Sequence, residues 1–179
     1  MGRTSYLVAL GSNRRGRHGG PRAELRAAVA ALDAMEGARV TAVAPVIETA
    51  PIGPSIRRYA NGAAIVETTE SPDALLRRLK AIERGFGRRR GRRWGARVLD
   101  LDIILWSGGT WGDRVLTVPH PAFRERDFVL APACAIAAHW RDPVSGHSVR
   151  CLHARLRRRL RRAGTPEQAG KRIQVTLPG

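Results

Sequence analysis

The chain has 179 residues, 43% of them hydrophobic, with a formal charge of +17 and a pI near 11.7. That length buries a core in one domain without staples, and Cys134 and Cys151, outside any Cys-x-x-Cys spacing, exclude a zinc knuckle and a dithiol redox motif. No stretch approaches the ~18 to 20 apolar residues of a membrane helix and the N-terminus lacks the layout of a secretory signal, so a cytoplasmic location with reduced thiols is expected.

Tyr6 to Leu10 is an apolar run closed by Gly11-Ser12-Asn13, which predicts a buried strand ending in a turn. Gly11 to Gly16 has the glycine spacing of a phosphate-binding loop, but Arg17-His18 stands where Lys-Ser/Thr is required, so that motif is rejected. From Pro21 to Met35 the residues Leu25, Ala28, Val29 and Leu32 fall at helical spacing, with Gly37 as the stop. Arg39 to Ile47 alternates and predicts a second strand, and Thr49-Ala50-Pro51-Ile52-Gly53-Pro54 a stiff surface loop. Tyr59 to Thr68 reads as a third strand. Ser71-Pro72 opens a helix whose stripe is Leu75, Leu76, Leu79 and Ile82. Val98 to Leu105 is a fourth strand, with a turn at Ser107 to Thr110 and a returning strand at Val115 to Val118. Arg124 to Ala138 predicts a helix with Phe128, Val129, Ala131 and Cys134 or Ala135 inward, bent or split at Pro132. In Cys151 to Ala163 the residues Leu152, Leu156 and Leu160 make a basic amphipathic helix.

The order β-α-β-β-α-β from Tyr6 to Leu105 points to an α+β fold with a ferredoxin-like core, a mostly antiparallel sheet carrying helices on one face and leaving its other face or edge free for ligands, plus C-terminal helical additions. The chemistry concentrates in the fourth strand. Its alternation sends Leu99, Leu101, Ile103 and Leu105 into the core and sets Asp100 and Asp102 side by side on the other face. Paired carboxylates repel unless a cation lies between them, and Mg²⁺ suits a pair of carboxylates that shares it with substrate phosphates. Immediately before them runs Arg88-Arg89-Arg90-Gly91-Arg92-Arg93-Trp94-Gly95-Ala96-Arg97, cations on glycine hinges. Among the 32 basic residues only Lys80 and Lys171 are lysines, and the guanidinium fork grips phosphate in a bidentate way, so a nucleotide or a nucleic acid is the expected partner.

Taken together, Gly11-Ser12-Asn13, Thr49-Ala50-Pro51-Ile52-Gly53, Tyr59-x-Asn61, Glu83 with Gly87-Arg88-x-Arg90, Arg93-Trp94-Gly95-Ala96-Arg97-x-x-Asp100-Leu101-Asp102, Thr117-Val118-Pro119-His120 and Arg126-x-Phe128 resemble the 6-hydroxymethyl-7,8-dihydropterin pyrophosphokinase family in order and spacing over Tyr6 to about Leu152. The resemblance implies a catalytic domain over 1–153, with a basic helix and tail over 154–179 outside it. It implies transfer of a pyrophosphoryl unit from the co-substrate ATP to the hydroxymethyl group of the pterin, with release of AMP. Asp100 and Asp102 would hold two Mg²⁺ ions, and Arg88 and Arg97 would clamp the phosphates. Glu83, Arg88, Trp94, Arg97, Thr117, His120 and Arg126 would face ATP. Thr49, Pro51, Ile52, Tyr59, Asn61, Trp94, Asp100 and Phe128 would face the pterin. Departures from the family pattern are Ala96 where proline is usual, Ser55-Ile56-Arg57-Arg58 before the aromatic, Lys80 where glutamine is common, and Pro121 after His120. A monomer is expected. The competing reading is a ferredoxin-like nucleic-acid-binding module, which would need base-stacking aromatics that the 5% aromatic content does not supply to the central strands. A weaker association of the basic tail with nucleic acid is a separate expectation.

Overall fold

The computed structural model describes residues 2–49, 58–87 and 98–164. Strand β1 (Thr4–Ser12) lies inside an antiparallel sheet of order β2-β4-β1-β5, where β2 is Ala38–Val43, β4 is Tyr59–Thr68 and β5 is Asp100–Trp106. A short β3 (Ile47–Thr49) extends the sheet by pairing with β4. Helices α1 (Pro21–Asp33) and α2 (Pro72–Gly85) complete two interlaced β-α-β halves, the ferredoxin-like arrangement expected from the element order.

Both faces of the sheet are covered, which removes the free face from the expected alternatives of a free face or a free edge. Tyr6, Val8 and Leu10 of β1 pack with Leu25, Ala28 and Leu32 of α1 and Leu75 and Leu79 of α2 in a first core. On the other side Leu7, Ala63, Ile65 and Leu105 pack with Val129, Leu130 and Ala133 of α3 (Asp127–Ala137) and Leu152 and Leu156 of α4 (Val149–Arg162) in a second core. Burying one such side chain contributes roughly 1.5 to 3 kcal/mol, so α3 and α4 are integral to the fold. Residues 153 and 154, the expected limits of two regions, are consecutive within α4.

Several element boundaries differ from the sequence reading for identifiable reasons. Arg39 to Ile47 is divided into β2 and β3, with Pro45, which has no N–H for a ladder bond, in the gap. The returning strand shrinks to β7 (Thr117–Val118), which pairs with β6 (Trp111–Gly112) in a separate small sheet. The helix expected over Arg124 to Ala138 is indeed split, but at Arg126 rather than at Pro132: a 3-10 turn spans Phe123–Glu125, Arg126 is extended, and α3 continues through Pro132. The loss of one ladder bond at Pro132 is offset by burial of Val129, Leu130 and Ala133 around it. On that helix the buried side is Val129, Leu130, Pro132, Ala133 and Ala137, while Ala131, Cys134 and Ala135 are not fully buried.

A bulge in β5 decides where its side chains point. Leu7 pairs with Leu105 and Val8 with Ile103, leaving Ile104 as the extra residue. Leu99, Leu101 and Ile103 enter the first core as expected, whereas Leu105 joins Ile104 in the second. Beyond the bulge Trp106 turns back to the first core and stacks on Tyr6, with ring centroids 6.0 Å apart.

The turn before α4 is tied to the 3-10 turn by a bidentate pair. Arg124 Nε and Nη2 each donate to the fully buried Asp142 carboxylate at 2.7 Å, Val144 N–H adds a bond at 3.1 Å, and the Ser145 hydroxyl donates as well. Burial would raise the Asp142 carboxyl, but the Arg124 fork, Ser145 and the Val144 N–H outweigh it and bring it from 3.8 down to about 2. The native state therefore favours the ionised form. Its contribution, about 2 kcal/mol, is present above pH 4 and is lost as pH falls from 4 to 2. In urea unfolding followed across this range, Asp142→Asn should lower stability at pH 7 by an amount of that order and flatten the acid limb; an unchanged limb would contradict the assignment.

Candidate active site

The strand register gathers the candidate residues at one end of the sheet, on the side of the second core. Gly11 lies opposite Asn61 of β4 on one side and opposite Asp100 of β5 on the other, and Ala9 lies opposite Ala63 and Asp102 in the same way. Directly paired residues share a face. Gly11, Ala9 and Ala63 thus form a low floor between an amide wall and a carboxylate wall, with the Asn61 and Asp100 backbones two strand spacings, about 10 Å, apart. A Cβ added to Gly11 would sit 3.8 Å from Asn61 Oδ1. Anything larger would reach into the gap.

The amide wall is well fixed. Asn61 and Thr49 are each about 95% buried, and Asn61 Nδ2 donates to Thr49 Oγ1 at 3.0 Å. Thr49 in turn pairs across β3 and β4 with Tyr59, so Thr49, Tyr59 and Asn61 stand on one face. Asn alone at a strand start usually forms a turn; here it is inside β4 with its side chain held at a fixed angle. Phe128, at the start of α3, packs against the second core on the same side.

The carboxylate wall is framed by cations and by a histidine. Lys80 Nζ from α2 donates to Glu83 Oε1 at 2.7 Å and to the Leu101 carbonyl at 2.9 Å, and lies 3.7 Å from Asp102 Oδ1. Glu83, wholly buried, also accepts the Leu101 N–H at 2.8 Å, which pins α2 to β5 beside the acids. His120 is held to β5 by its N–H on the Ile104 carbonyl at 3.0 Å, and its Nδ1 accepts the Ala122 N–H at 3.2 Å, leaving Nε2 to carry the proton of the neutral ring. Burial lowers the His120 pKa, Asp102 opposes that shift, Arg126 adds to it, and Asp100 opposes it weakly. His120 therefore feels both acids and Arg126 together. The Arg126 guanidinium lies 5.9 Å from the Phe128 ring centroid, and Thr117 is exposed on β7.

Two carboxylates on one strand face, with no group of three or more His, Cys, Asp or Glu side chains placed to hold a metal among the described residues, do not make a closed transition-metal site. They fit a hard ion that takes its remaining ligands from phosphate oxygens and water. Pro51, Ile52, Arg88, Trp94 and Arg97 lie outside the described residues, so this geometry concerns Thr49, Tyr59, Asn61, Glu83, Asp100, Asp102, Thr117, His120, Arg126 and Phe128.

The family model for 7,8-dihydro-6-hydroxymethylpterin-pyrophosphokinase (HPPK) matches residues 7–138. The chain belongs to that family. HPPK relatives named 2-amino-4-hydroxy-6-hydroxymethyldihydropteridine pyrophosphokinase include those of Pseudomonas aeruginosa, 39% identical over 82% of this chain and 89% of the relative, and of Methylorubrum extorquens, 37% identical over 86% and 94%. That of Synechocystis is 38% identical over 70% of this chain, which spans 64% of the relative's length. The crystal structure of wild-type Plasmodium falciparum HPPK-DHPS superposes with a TM-score of 0.77 over 97% of this chain at 13% identity, a likeness of fold. This chain spans 45% of that longer one.

Within the HPPK fold, two contributors carried no site role in the sequence reading. Gly11 enters that reading as a turn signal, in the rejected loop spacing and in the Gly11-Ser12-Asn13 motif, without a site role; its place in the row Asn61-Gly11-Asp100 depends on register, which one strand's pattern does not give. Lys80 stood out as a departure in residue type, and one turn of α2 separates it from Glu83, the spacing that lets both reach β5. Gly11→Ala should leave pterin binding within about threefold, whereas Gly11→Val should weaken it at least tenfold while the melting temperature falls only modestly; titration of pterin fluorescence measures both. Asn61→Ala should weaken the same binding by about 10- to 100-fold, the loss of a buried, oriented amide.

Proposed function

We propose that the chain carries out the reaction its family is named for, moving a pyrophosphoryl unit from ATP to 6-hydroxymethyl-7,8-dihydropterin in folate biosynthesis. The observation that carries this reading is the single row in which Asn61 and Asp100 face each other across Gly11. A flat heterocycle edged with donors and acceptors matches a fixed amide at Asn61, with Thr49 and Tyr59 beside it and Phe128 as an aromatic face. The neighbouring loop residues Pro51 and Ile52 would complete that pocket.

In the transfer, the hydroxymethyl oxygen attacks the β-phosphorus of ATP, the bond from that phosphorus to the α,β-bridging oxygen breaks, AMP leaves with the bridging oxygen, and the hydroxyl proton passes to solvent. Asp100 and Asp102 would hold two Mg²⁺ ions, which when bound neutralise the phosphate oxygens and bring them into line. Lys80 keeps Asp102 and the β5 backbone in place beside them. His120 and Arg126 border the same pocket from the turn before α3, Arg126 as a fixed positive charge and His120 with its Nε2 proton available to an oxygen acceptor. Arg88 and Arg97 would clamp the phosphates, and Trp94 would close over the ring with the arginine-rich segment, excluding water that hydrolyses ATP. Charge stabilisation by groups already in position is the main catalytic task in phosphoryl transfer.

The nucleic-acid-module reading loses its platform, since α3 and α4 cover the sheet face that such a module would present to bases. No described helix is long and apolar enough to cross a membrane. Cys134 and Cys151 form no disulfide among the described residues.

The deciding experiment is product analysis with ATP, hydroxymethyldihydropterin and Mg²⁺. Pterin-dependent formation of AMP is expected, and ADP as the product would reject pyrophosphoryl transfer. Asp102→Ala should nearly abolish turnover, and Arg97→Ala should cost on the order of 10² to 10³ in kcat, as for removal of one preorganised stabilising group. Full rate in Arg97→Ala would remove the clamp assignment.

A further inference from the structure

On the opposite face of the same sheet end lies a cavity of about 600 Å³ lined by Asn13, Arg14, Arg15, Pro21, Arg22, Glu48, Arg58, Tyr59 and Ala60. Glu48 and Ser12 both pair with Ala60, so these residues point to the α1 side, away from Asn61 and Asp100, while Tyr59, which pairs with Thr49, stands where the two sides meet. Four guanidinium groups meet one carboxylate there. Glu48 is shared by Arg22 at 3.7 Å and Arg58 at 3.4 Å, and Arg14 and Arg15 make no ion pair among the described residues. Three positive charges are thus uncompensated around one concavity. The first turn of α1 adds to this field: Gly20 at its N-cap offers no side chain to the free N–H groups, and the positive end of the helix dipole opens beside Arg22. Pro21 and Ala60 supply an apolar part of the wall.

We propose that this cavity is a second ligand site, separate from the candidate active site, for a small molecule bearing a di- or triphosphate group. The volume is that of a small-ligand site, and arginine forks are suited to bidentate phosphate contacts. A single carboxylate-sized anion would leave most of the positive charge unmatched, whereas an oligophosphate meets several guanidiniums at once. The proposal stands on the cavity alone and not on the transfer reaction, so either can fail without the other.

The test is an NMR titration of the full chain with inorganic tripolyphosphate, with EDTA present so that metal-dependent binding at Asp100 and Asp102 is suppressed. Saturable one-to-one binding is expected, with the largest amide shifts at residues 13–15, 22 and 58–60. Affinity should fall at least tenfold in Arg14→Ala/Arg15→Ala and should be unchanged in Asp100→Asn/Asp102→Asn. Turnover of the Arg14→Ala/Arg15→Ala enzyme should match the parent, and Arg22→Gln serves as the second variant if the double one fails to fold. A parallel titration with ADP separates the sources: tighter binding than tripolyphosphate assigns a nucleotide, weaker binding a free oligophosphate. Equal affinity in the arginine variants, shifts centred on Asp100, His120 and Arg126, or unsaturable shifts spread over the arginines of α4 would each overturn the proposal.

Discussion

The bulge at Ile104 is the constraint on which the site depends. Counting back from Trp106 with strict alternation would put Ile104, Asp102 and Asp100 in the first core with Trp106, two carboxylates among Leu10, Leu25 and Leu79. The extra residue reverses the phase. Trp106 keeps its stack on Tyr6, Leu99, Leu101 and Ile103 fill the first core, and the acids emerge on the other face beside Gly11 and Ala9. A one-residue change of register moves every side chain of a strand to the opposite face, so this single irregularity sets both the packing of β5 and the place of its acids.

Periodicity made much of this readable. The limits of β4 were legible in the small and apolar run from Tyr59, and α1 and α2 in their leucine spacing with proline at the start and glycine beyond the end. The Asp-x-Asp pair was correctly expected to point away from the first core. What one chain's pattern did not carry was the bulge, because Ile103-Ile104-Leu105 is uniformly apolar and gives no sign of which residue is extra. For the same reason Leu105 was expected in the wrong core. Asn61 illustrates a different limit: its residue type suggests a turn, and only its pairing with Gly11 and its bond to Thr49 show a fixed wall. The helices α3 and α4 were recognisable as apolar, but which surface they would cover depends on the second face of the sheet also being hydrophobic, as Leu7, Ala63 and Ile65 make it.

In a chain with 32 basic and 15 acidic residues, the three carboxylates wholly buried among the described residues have a common use. Glu24 of α1 accepts the His18 N–H at 2.7 Å and meets its ring at 2.8 Å, fastening the 14–20 segment, with Gly16 packed so close that a Cβ there would lie 2.7 Å from Glu24. Glu83 fastens β5 through Leu101 N–H and Lys80. Asp142 fastens the 3-10 turn through Arg124. Glu24 and Glu83 tie an irregular segment and an edge strand to a helix, and Asp142 ties two irregular segments, the 3-10 turn and the turn before α4, to each other. Scarce negative charge is placed where backbone without its own ladder must be kept in position.

The sheet end has a different electrostatic character on each side. On the α3 side, acids project over small residues and attract cations; on the α1 side, arginines surround a cavity and attract anions. The alternation of β3 and β4 separates them, since Thr49 and Asn61 point one way and Glu48 and Ala60 the other, with Tyr59 at the border between them. Carboxylates that recruit a cation can work beside an arginine-rich surface only if they are not already neutralised by it. Among the described contacts of Asp102 the cation nearest is Lys80 at 3.7 Å, longer than the 2.7 Å bond by which Glu83 holds the same ammonium. By engaging Lys80 more closely, buried Glu83 leaves Asp102 the more weakly held of the two acids on that ammonium, which makes a residue that touches no solvent part of the electrostatic design of the site.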